Sequence, residues 1–356
     1  MKRQFKFFPK TLYFKFKAGT SRGVYTSRDT YFIAMFEDGE LKGVGECAPL
    51  RGLSAEYKNK ANFEQHLAQF VARANKDESF SLSELTGWSS ILCAFETALM
   101  HGGRQSLKLF DNDFTQGKAD LKINGLIWMG SYAEMQKRIE EKLASGFKCL
   151  KLKIGAIDFD KELELLRLIR QDYPASVLTL RVDANGAFGV DEAMDKLEAL
   201  SRFELHSIEQ PIKAGQWDAL ARLCASSPVP VALDEELIGL NSTEDKLRLL
   251  ESVRPQYLVI KPSLHGGLRS TLEWTNLARE HNIGLWITSA LESNLGLNML
   301  AQLTSSLKLE GYQGLGTGQL YTNNLPFPAL ELTGENLHFN AGRLPAAEDL
   351  WHYLQH

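Results

Sequence analysis

Charged residues recur along the middle of the chain at intervals of 25 to 30 residues, and each lies close to the end of a short apolar segment. This interval is the length of one strand–helix unit of a parallel β/α fold. A charge at the carboxyl end of a buried strand is costly unless a site uses it, so the repeat indicates both the fold and the position of its site. The five residues are Lys153, Asp183, Glu209, Asp234 and Lys261.

Apolar segments that could form eight strands follow one another from Lys122 onward, with helical patterns between them. This alternation predicts an α/β protein with a (β/α)8-type barrel, a modified TIM barrel, over residues 118–325. A doubly wound open sheet is the alternative, but it would place its ligand residues at one switch point rather than at the end of strand after strand. The predicted strands end near Trp128, Lys153, Asp183, Glu209, Asp234, Lys261, Ser289 and Gly316, and the predicted helices are Tyr132–Ser145, Lys161–Tyr173, Glu192–Ser201, Trp217–Cys224, Ser242–Val253 and Ser270–His281.

The first 117 residues do not show this period. Tyr31–Phe36 and Gly43–Cys47 flank an Asp-Gly turn, which is typical of a β-hairpin, and Leu53–Ala74 and Ser90–Met100 have helical patterns. Strands followed by helices predict a separate α+β domain over residues 1–117. Residues 326–356 lose the repeat, and we expect this C-terminal segment to return to the N-terminal domain.

The composition is that of an ordinary globular protein, with 44% hydrophobic and 24% charged residues among 356 and a formal net charge of −4. This mild acidity argues against nucleic acids and membrane surfaces as partners, because both favour a basic stripe. The basic opening, Met1–Lys17, alternates like a half-exposed strand and lacks the apolar core of a signal peptide. No apolar run approaches transmembrane length.

The cysteines are widely separated and do not have the spacing of a zinc site. We predict that they are buried free thiols, which favours the reducing cytoplasm as the location. The sequence leaves the oligomeric state open. The four cysteines are Cys47, Cys93, Cys149 and Cys224.

Lys151 and Lys153 lie two residues apart on a predicted strand, so their side chains share one face of it. The other face is aliphatic and would pack against outer helices, which places both lysines inside the barrel. Two close ammonium groups depress each other's pKa, and a lysine with a lowered pKa can act as a general base at neutral pH. A solvated strand edge is the alternative interpretation.

Asp183, Glu209 and Asp234 come from three consecutive predicted strands, and hard oxygen ligands in this arrangement suit Mg²⁺ or Mn²⁺. Helix caps or surface ion pairs are the alternative. Asn185 lies on the same face as Asp183 and could orient a ligand. Glu235 would point the opposite way on a regular strand, which favours a structural role.

Lys261 is expected to face Lys153 across the barrel, where it could act as a second acid–base group or stabilise negative charge. An ion pair with one of the metal carboxylates is the competing interpretation. Ser289 and the glycine-rich run that begins at Gly314 follow the last two strands, and their backbone N–H groups could bind a substrate carboxylate, although a plain turn explains the run equally well. His265 is assigned a structural or surface role.

The order of five short motifs resembles the enolase superfamily, and lysines on both sides of the carboxylates are similar to its muconate-lactonising branch. Gly45–Tyr57 looks like the capping loop of the o-succinylbenzoate synthases in that branch, and Thr288–Gly296 looks like their seventh-strand motif. The resemblance covers nearly the whole chain and implies that the N-terminal α+β domain is a capping domain. The motifs are KLK, DANG, EQP, LDE and VIKPS.

This resemblance implies that Lys153 removes a proton α to a carboxylate, that Lys151 supports it electrostatically, and that the three acids bind Mg²⁺. It further implies Mg²⁺-dependent syn-dehydration of 2-succinyl-6-hydroxy-2,4-cyclohexadiene-1-carboxylate to o-succinylbenzoate, a step of menaquinone biosynthesis. The sequence departs from the branch at Glu236, where a small polar residue is common.

Arginines on the predicted capping loops could contact the succinyl carboxylate, although solvated surface positions are the simpler interpretation. These are Arg22, Arg28 and Arg51. Two other functions remain open. In a dipeptide epimerase or N-acylamino-acid racemase, Lys261 would return a proton on the opposite face. In a catalytically silent barrel, the site would only bind a small acid.

Overall fold

A computed structural model describes residues 3–20 and 23–356. Its N-terminal part is an antiparallel sheet flanked by two helices. The predicted Asp-Gly turn joins the second and third strands, with φ of 50° at Asp38 and 89° at Gly39, as a two-residue hairpin turn requires. The hairpin prediction is confirmed. The elements are β1 (Arg3–Thr20), β2 (Gly23–Glu37), β3 (Glu40–Cys47), α1 (Lys60–Lys76) and α2 (Ser89–Arg104).

The middle of the chain forms a parallel sheet of seven hydrogen-bonded strands in sequence order, with a helix after each strand. The α/β prediction is therefore confirmed, and the six predicted helices agree with observed ones to within three residues. The strands are β5 (Gly125–Ile127), β6 (Cys149–Lys153), β7 (Thr179–Asp183), β8 (Ser207–Glu209), β9 (Val231–Leu233), β10 (Tyr257–Ile260) and β11 (Gly284–Ile287), and a short β4 (Leu121–Lys122) precedes them. The helices are α3 (Tyr132–Ala144), α4 (Phe159–Asp172), α5 (Val190–Ser201), α6 (Trp217–Ser226), α7 (Thr243–Val253), α8 (Gly267–Glu280) and α9 (Asn294–Ser306).

The predicted eighth strand near Gly316 is not a regular strand. Instead, Gln313 and Gly314 form single parallel bridges to Ile123 on one edge of the sheet and to Thr288 on the other. A Cβ atom at position 314 would lie 2.2 Å from Thr288 Oγ1, so glycine permits this close approach. The sheet is therefore curled, and one short segment hydrogen-bonds to both of its ends.

Side-chain alternation sets the two faces of the sheet. On β6, Leu150 and Leu152 are at most 1% exposed and belong to the core shared with the helices, whereas Lys151 and Lys153 point to the opposite face. This arrangement directs the lysines to the inside of the curled sheet, as the sequence predicts.

The C-terminal segment begins with a hairpin that pairs with β4 and ends in a helix on the N-terminal sheet. The Trp351 ring lies 5.6 Å from that of Phe8 and 5.7 Å from that of Phe36. The elements are β12 (Leu330–Thr333), β13 (Asn336–Phe339) and α10 (Ala347–Gln355). In the described part of the chain, each helix is too short or too polar to span a bilayer. All four cysteines are free and buried, as predicted.

Two acidic side chains of the N-terminal part bind the amino ends of helices that flank the parallel sheet. Glu46, on β3, accepts hydrogen bonds from the backbone N–H groups of Ser293 (2.9 Å) and Gly296 (3.0 Å) at the start of α9. Glu96, on α2, accepts one from Leu268 N (2.6 Å) at the start of α8. A carboxylate at a helix amino terminus satisfies free N–H groups and the helix dipole, so these contacts fix the N-terminal part over the sheet.

Candidate active site

The carboxyl ends of neighbouring strands bring the predicted residues together. Lys153, Asp183 and Glu209 are paired across β6, β7 and β8. The Nζ atom of Lys151 lies 2.6 Å from Glu209 Oε2 and 3.0 Å from Asp183 Oδ2. The Nζ atom of Lys153 lies 3.1 Å from the same Asp183 oxygen. A single network therefore connects both lysines with two of the predicted metal ligands.

Asp234 and Lys261 form a second ion pair, immediately after β9 and β10. The ammonium group of Lys261 donates a hydrogen bond to Asp234 Oδ2. The Lys261 side chain is 11% exposed, and the Asp234 side chain is fully buried. In this structure Lys261 therefore has the ion pair that the sequence offered as the competing interpretation.

The expected depression of the Lys151 pKa is wrong. Burial alone would lower the pKa of Lys151, but the charges of Asp183 and Glu209 outweigh burial and raise it. Burial would likewise raise the pKa of Asp183, but Lys151 and Lys153 hold it well below its ordinary value. Burial and the nearby Asp183 charge raise the pKa of Glu209. Lys151 therefore remains a cation that binds both Asp183 and Glu209. A lysine with a raised pKa is not suited to act as a general base.

Asp183, Glu209 and Asp234 supply carboxylate oxygens, which are the type of ligand that a hard divalent cation prefers. In the described residues no three acid, histidine or cysteine side chains meet closely enough to hold a metal, and the Lys151 ammonium lies between two of the acids. Glu209 Oε1 and Asp234 Oδ1 are nevertheless buried without a hydrogen-bond partner in residues 3–20 and 23–356. An unpartnered buried carboxylate oxygen is costly, and a hard cation would satisfy both oxygens.

Asn185 positions the side chain of Lys153. It adopts a left-handed conformation with φ of 45°, which lets its backbone N–H donate to Asp183 Oδ1 at 3.0 Å. Its side-chain oxygen accepts a hydrogen bond from Lys153 Nζ at 2.8 Å, and its Nδ2 donates to Glu235 Oε1 at 3.1 Å. The expected outward direction of Glu235 is wrong, because β9 ends at Leu233 and a 3-10 turn follows.

Glu236, where the sequence departs from the resemblance, has structural contacts. Its carboxylate accepts hydrogen bonds from the Trp217 indole (2.7 Å), the backbone of Gly215 (2.8 Å) and the Gln210 amide (3.2 Å). It therefore fixes the loop after β8 against the turn after β9.

Ser289 and Gly314 line the site, but their backbone N–H groups are not available to a carboxylate. Ser289 N donates to Gly314 O at 3.0 Å, and Gly314 N donates to Ile287 O at 2.8 Å. The Ser289 hydroxyl donates to Glu292 at 2.6 Å and accepts from Thr317 at 2.8 Å. The N–H groups of Ser289 and Gly314 close the sheet, so the expected site is wrong at these two positions, and for the rest of the run it stays a prediction.

Arg28 is neither a surface residue nor a free ligand for the succinyl carboxylate. It is 6% exposed, and its guanidinium donates to the backbone oxygens of Ala290 (2.7 Å), Leu291 and Pro49 (3.2 Å). It therefore joins β2 to the loop after β11. Arg51 is exposed, and Arg22 lies outside the described residues.

The reactive side chains surround a cavity of about 80 Å³. Its polar wall includes Lys151, Lys153, Lys261 and Asp183. The sequence analysis did not predict which apolar residues line the cavity. Leu126 pairs with Lys151 on the neighbouring strand, so both side chains point to the inside of the sheet. The apolar residues include Leu50, Leu53, Leu126 and Trp128. The first two come from the predicted capping loop, so the N-terminal part covers the reactive groups.

The chain is similar to a known protein family and to several known proteins. A family model described as enolase C-terminal domain-like matches residues 134–349. The chain is 48% identical over 347 residues to the o-succinylbenzoate synthase of Desulfotalea psychrophila, covering 88% of this chain and 93% of that protein. It is 26% identical to the D-Ala-D/L-Ala epimerase of Cytophaga hutchinsonii, over 73% of this chain and 72% of the relative.

Among solved structures, MenC from Desulfotalea psychrophila LSv54 is similar over 95% of this chain and 100% of that chain, with 44% identity and a TM-score of 0.77. The family match covers more than half of the chain, and the synthase relative is similar over most of both proteins. The chain therefore belongs to the enolase C-terminal domain-like family, within the enolase superfamily.

Proposed function

We propose that this protein is an o-succinylbenzoate synthase, a carbon–oxygen lyase that dehydrates 2-succinyl-6-hydroxy-2,4-cyclohexadiene-1-carboxylate. The observation that carries the proposal is that Lys153 and Lys261 line one cavity beside Asp183, in a chain 48% identical to a curated synthase of this name. The product, o-succinylbenzoate, belongs to menaquinone biosynthesis. The cytoplasm is the proposed location, which the free thiols support.

We also propose that the curled sheet is a (β/α)8-type barrel over residues 118–325, with the bridges at Gln313 and Gly314 at the eighth position. Residues 1–117 would form the capping domain, and residues 326–356 return to it. The contacts of Glu46 and Glu96 with α9 and α8 support this assignment.

The first chemical step is removal of a feebly acidic proton. Lys153, as the neutral amine, takes the proton from the ring carbon that carries the carboxylate. The electron pair of the broken C–H bond moves into that carboxylate and gives an enediolate. Lys261, as a fixed cation at the cavity wall, stabilises this developing charge.

The second step is loss of water. The proton now on Lys153 passes to the hydroxyl of the neighbouring ring carbon, on the same face as the first proton. The C–O bond breaks, water leaves, and the ring becomes aromatic. One residue thus serves as base and then as acid, and Asn185 keeps its amine in place for both steps.

Asp183, Glu209 and Asp234 would hold Mg²⁺, with Mn²⁺ as the alternative. When bound, the ion supplies Lewis-acid stabilisation of the substrate carboxylate. Lys151 contributes by keeping Asp183 and Glu209 close together, with its ammonium at 3.0 and 2.6 Å from their oxygens.

The cavity of about 80 Å³ is smaller than the roughly 300–1,000 Å³ of typical ligand sites. The substrate needs more room than this cavity offers, so we expect the segment that carries Leu50 and Leu53 to move when the substrate enters. Closure then excludes water from the reacting groups.

The test is to incubate the protein with Mg²⁺ and the cyclohexadiene substrate and to follow the ultraviolet absorbance of the aromatic product. We expect rapid aromatisation that depends on Lys153. Lys148→Ala is the matched control, because Lys148 directly precedes the same strand but is exposed. Absence of aromatisation by the wild-type protein would contradict the proposal.

A second candidate function is a dipeptide epimerase or N-acylamino-acid racemase, which the presence of a second lysine, Lys261, in the same cavity favours. Lys261 would then return a proton to the opposite face of the α-carbon. Exchange of an amino-acid or dipeptide α-proton in D₂O without aromatisation would support this function.

A further inference from the structure

His265 makes two hydrogen bonds to the backbone of Lys261, one through its ring and one through its own backbone N–H. Its ring Nδ1 accepts a hydrogen bond from Lys261 N at 3.0 Å, and its own backbone N–H donates to Lys261 O at 2.9 Å. The histidine is 2% exposed. Both backbone polar groups of Lys261 are thus bound by one buried residue.

The protonation state of this ring follows from its contact. An Nδ1 atom that accepts a hydrogen bond carries no proton, so the neutral ring has its proton on Nε2. Burial lowers the pKa of His265 to about 3. The nearby Asp234 charge opposes this decrease, whereas the charges of Lys261 and Lys246 contribute to it. His265 therefore stays neutral wherever the protein is folded near neutral pH.

His265 is a poor choice for stability alone. Its Nε2 atom is buried without a hydrogen-bond partner among the described residues. An unsatisfied buried donor destabilises the folded state, whereas an apolar side chain of similar size would avoid that cost. We infer that this position needs a hydrogen-bond acceptor for Lys261 N, which an apolar side chain cannot provide.

The rest of this loop is fixed independently. The Ser263 hydroxyl donates to Glu292 Oε1 at 2.6 Å, and the other oxygen of Glu292 binds Ser289 at 2.6 Å. This link ties the loop after β10 to the loop after β11. It does not contact Lys261 itself. Within the turn, Leu264 N also donates to Lys261 O at 2.8 Å, but the acceptor for Lys261 N is the ring of His265.

We propose that His265 is a positioning residue for Lys261, holding its backbone so that the ammonium group lies at the wall of the cavity. The effect on catalysis rests on the proposed function, but the positioning itself does not. No part of the reaction requires His265 to contact the substrate or to exchange a proton.

Two substitutions separate positioning from general packing. His265→Leu keeps a similar volume and removes the acceptor. His265→Asn places a carbonyl oxygen close to the position of Nδ1 and retains an acceptor. His281→Leu is the control, because that ring also makes a local hydrogen bond, to Leu277 O at 2.9 Å, at the far end of α8.

With the cyclohexadiene substrate we expect His265→Leu to lower kcat by about tenfold or more, because small displacements of reacting groups are costly, while KM changes by less than about twofold. His265→Asn should recover most of the lost kcat. In a Lys261→Ala background, His265→Leu should have no further effect on kcat. Equal losses in both His265 variants, or additive losses with Lys261→Ala, would overturn the proposal.

A second measurement remains informative even if the protein does not turn over this substrate. Brief acetylation with acetic anhydride, read by peptide mass spectrometry, compares the labelling of Lys261 with that of Lys153 in the same sample. We expect the Lys261-to-Lys153 ratio to change severalfold in His265→Leu and to stay at the wild-type value in His265→Asn and His281→Leu. An unchanged ratio in His265→Leu would refute positioning, whereas an inactive wild-type protein with a changed ratio would refute only the proposed function.

Discussion

Glu162 allows a prediction about stability with a definite sign and size. It lies on α4, is 2% exposed, and accepts hydrogen bonds from Gly155 N at 2.7 Å and Ala156 N at 3.3 Å, in the loop directly after Lys153. Burial raises the pKa of Glu162 from 4.5 to about 7, although these N–H groups oppose the rise. The carboxyl group therefore binds its proton more tightly in the folded protein than in the unfolded chain.

The sign follows from linkage. The stability gained by protonating Glu162 is fully present below pH 4.5 and is lost as the pH rises through about 7. The shift corresponds to about 3 kcal/mol, at 1.36 kcal/mol per pH unit. Glu162→Gln removes the titration and keeps an oxygen that can accept from Gly155 N and Ala156 N. Relative to the wild type, the variant should therefore gain about 3 kcal/mol in free energy of unfolding between pH 4.5 and pH 8.

Urea unfolding, followed by tryptophan fluorescence at several pH values, measures this difference. Glu164→Gln is the control, because Glu164 lies on the same helix but is exposed, and the pH dependence of the Glu162→Gln difference is compared with that of this variant. A difference for Glu162→Gln that is independent of pH, or that falls as the pH rises, would refute the reasoning.

Three other predictions concern the site and its cover. Lys153→Ala should lower turnover by at least about 10²-fold because the general base is lost, and activity near the wild-type rate would exclude Lys153 from that role. Treatment with EDTA should abolish turnover and lower the thermal unfolding midpoint, and Mg²⁺ should restore both, since a ligand of the folded state stabilises it; full activity after complete chelation would contradict the metal proposal. Glu46→Ala should lower the free energy of unfolding by about 2–5 kcal/mol, because the N–H groups of Ser293 and Gly296 lose their buried acceptor; a loss below about 1 kcal/mol in urea would show that Glu46 does not fix α9.

The sequence predicted the strand ends well because the signal there is local. An apolar segment that ends in a charge sets both the end of the strand and the face of the last side chain, and pairing in register then aligned Lys153, Asp183 and Glu209. The two faces of β6 followed from side-chain alternation alone.

Other features depend on contacts between distant parts of the chain, and there the sequence was insufficient. The segment near Gly314 forms bridges to both edges of the sheet instead of a strand, and its N–H groups are used in doing so. Arg28 is buried because carbonyl groups of a loop more than 260 residues away surround it. The turn after Leu233 redirected Glu235 toward Asn185.

The pKa of Lys151 shows the same limit in energetic terms. Its lysine neighbour is visible in the sequence, but the two carboxylates that bind its ammonium come from other strands and decide the direction of the shift. Charge partners in a folded site are set by the sheet rather than by adjacent positions.

The most direct test of the central claim is a crystal structure of the protein with Mg²⁺ and o-succinylbenzoate. We predict one ion bound by Asp183, Glu209 and Asp234, the ring carboxylate of the ligand at that ion, and the amines of Lys153 and Lys261 on opposite faces of the ring. An ion bound elsewhere, or both amines on one face or directed away from the ligand, would contradict the account.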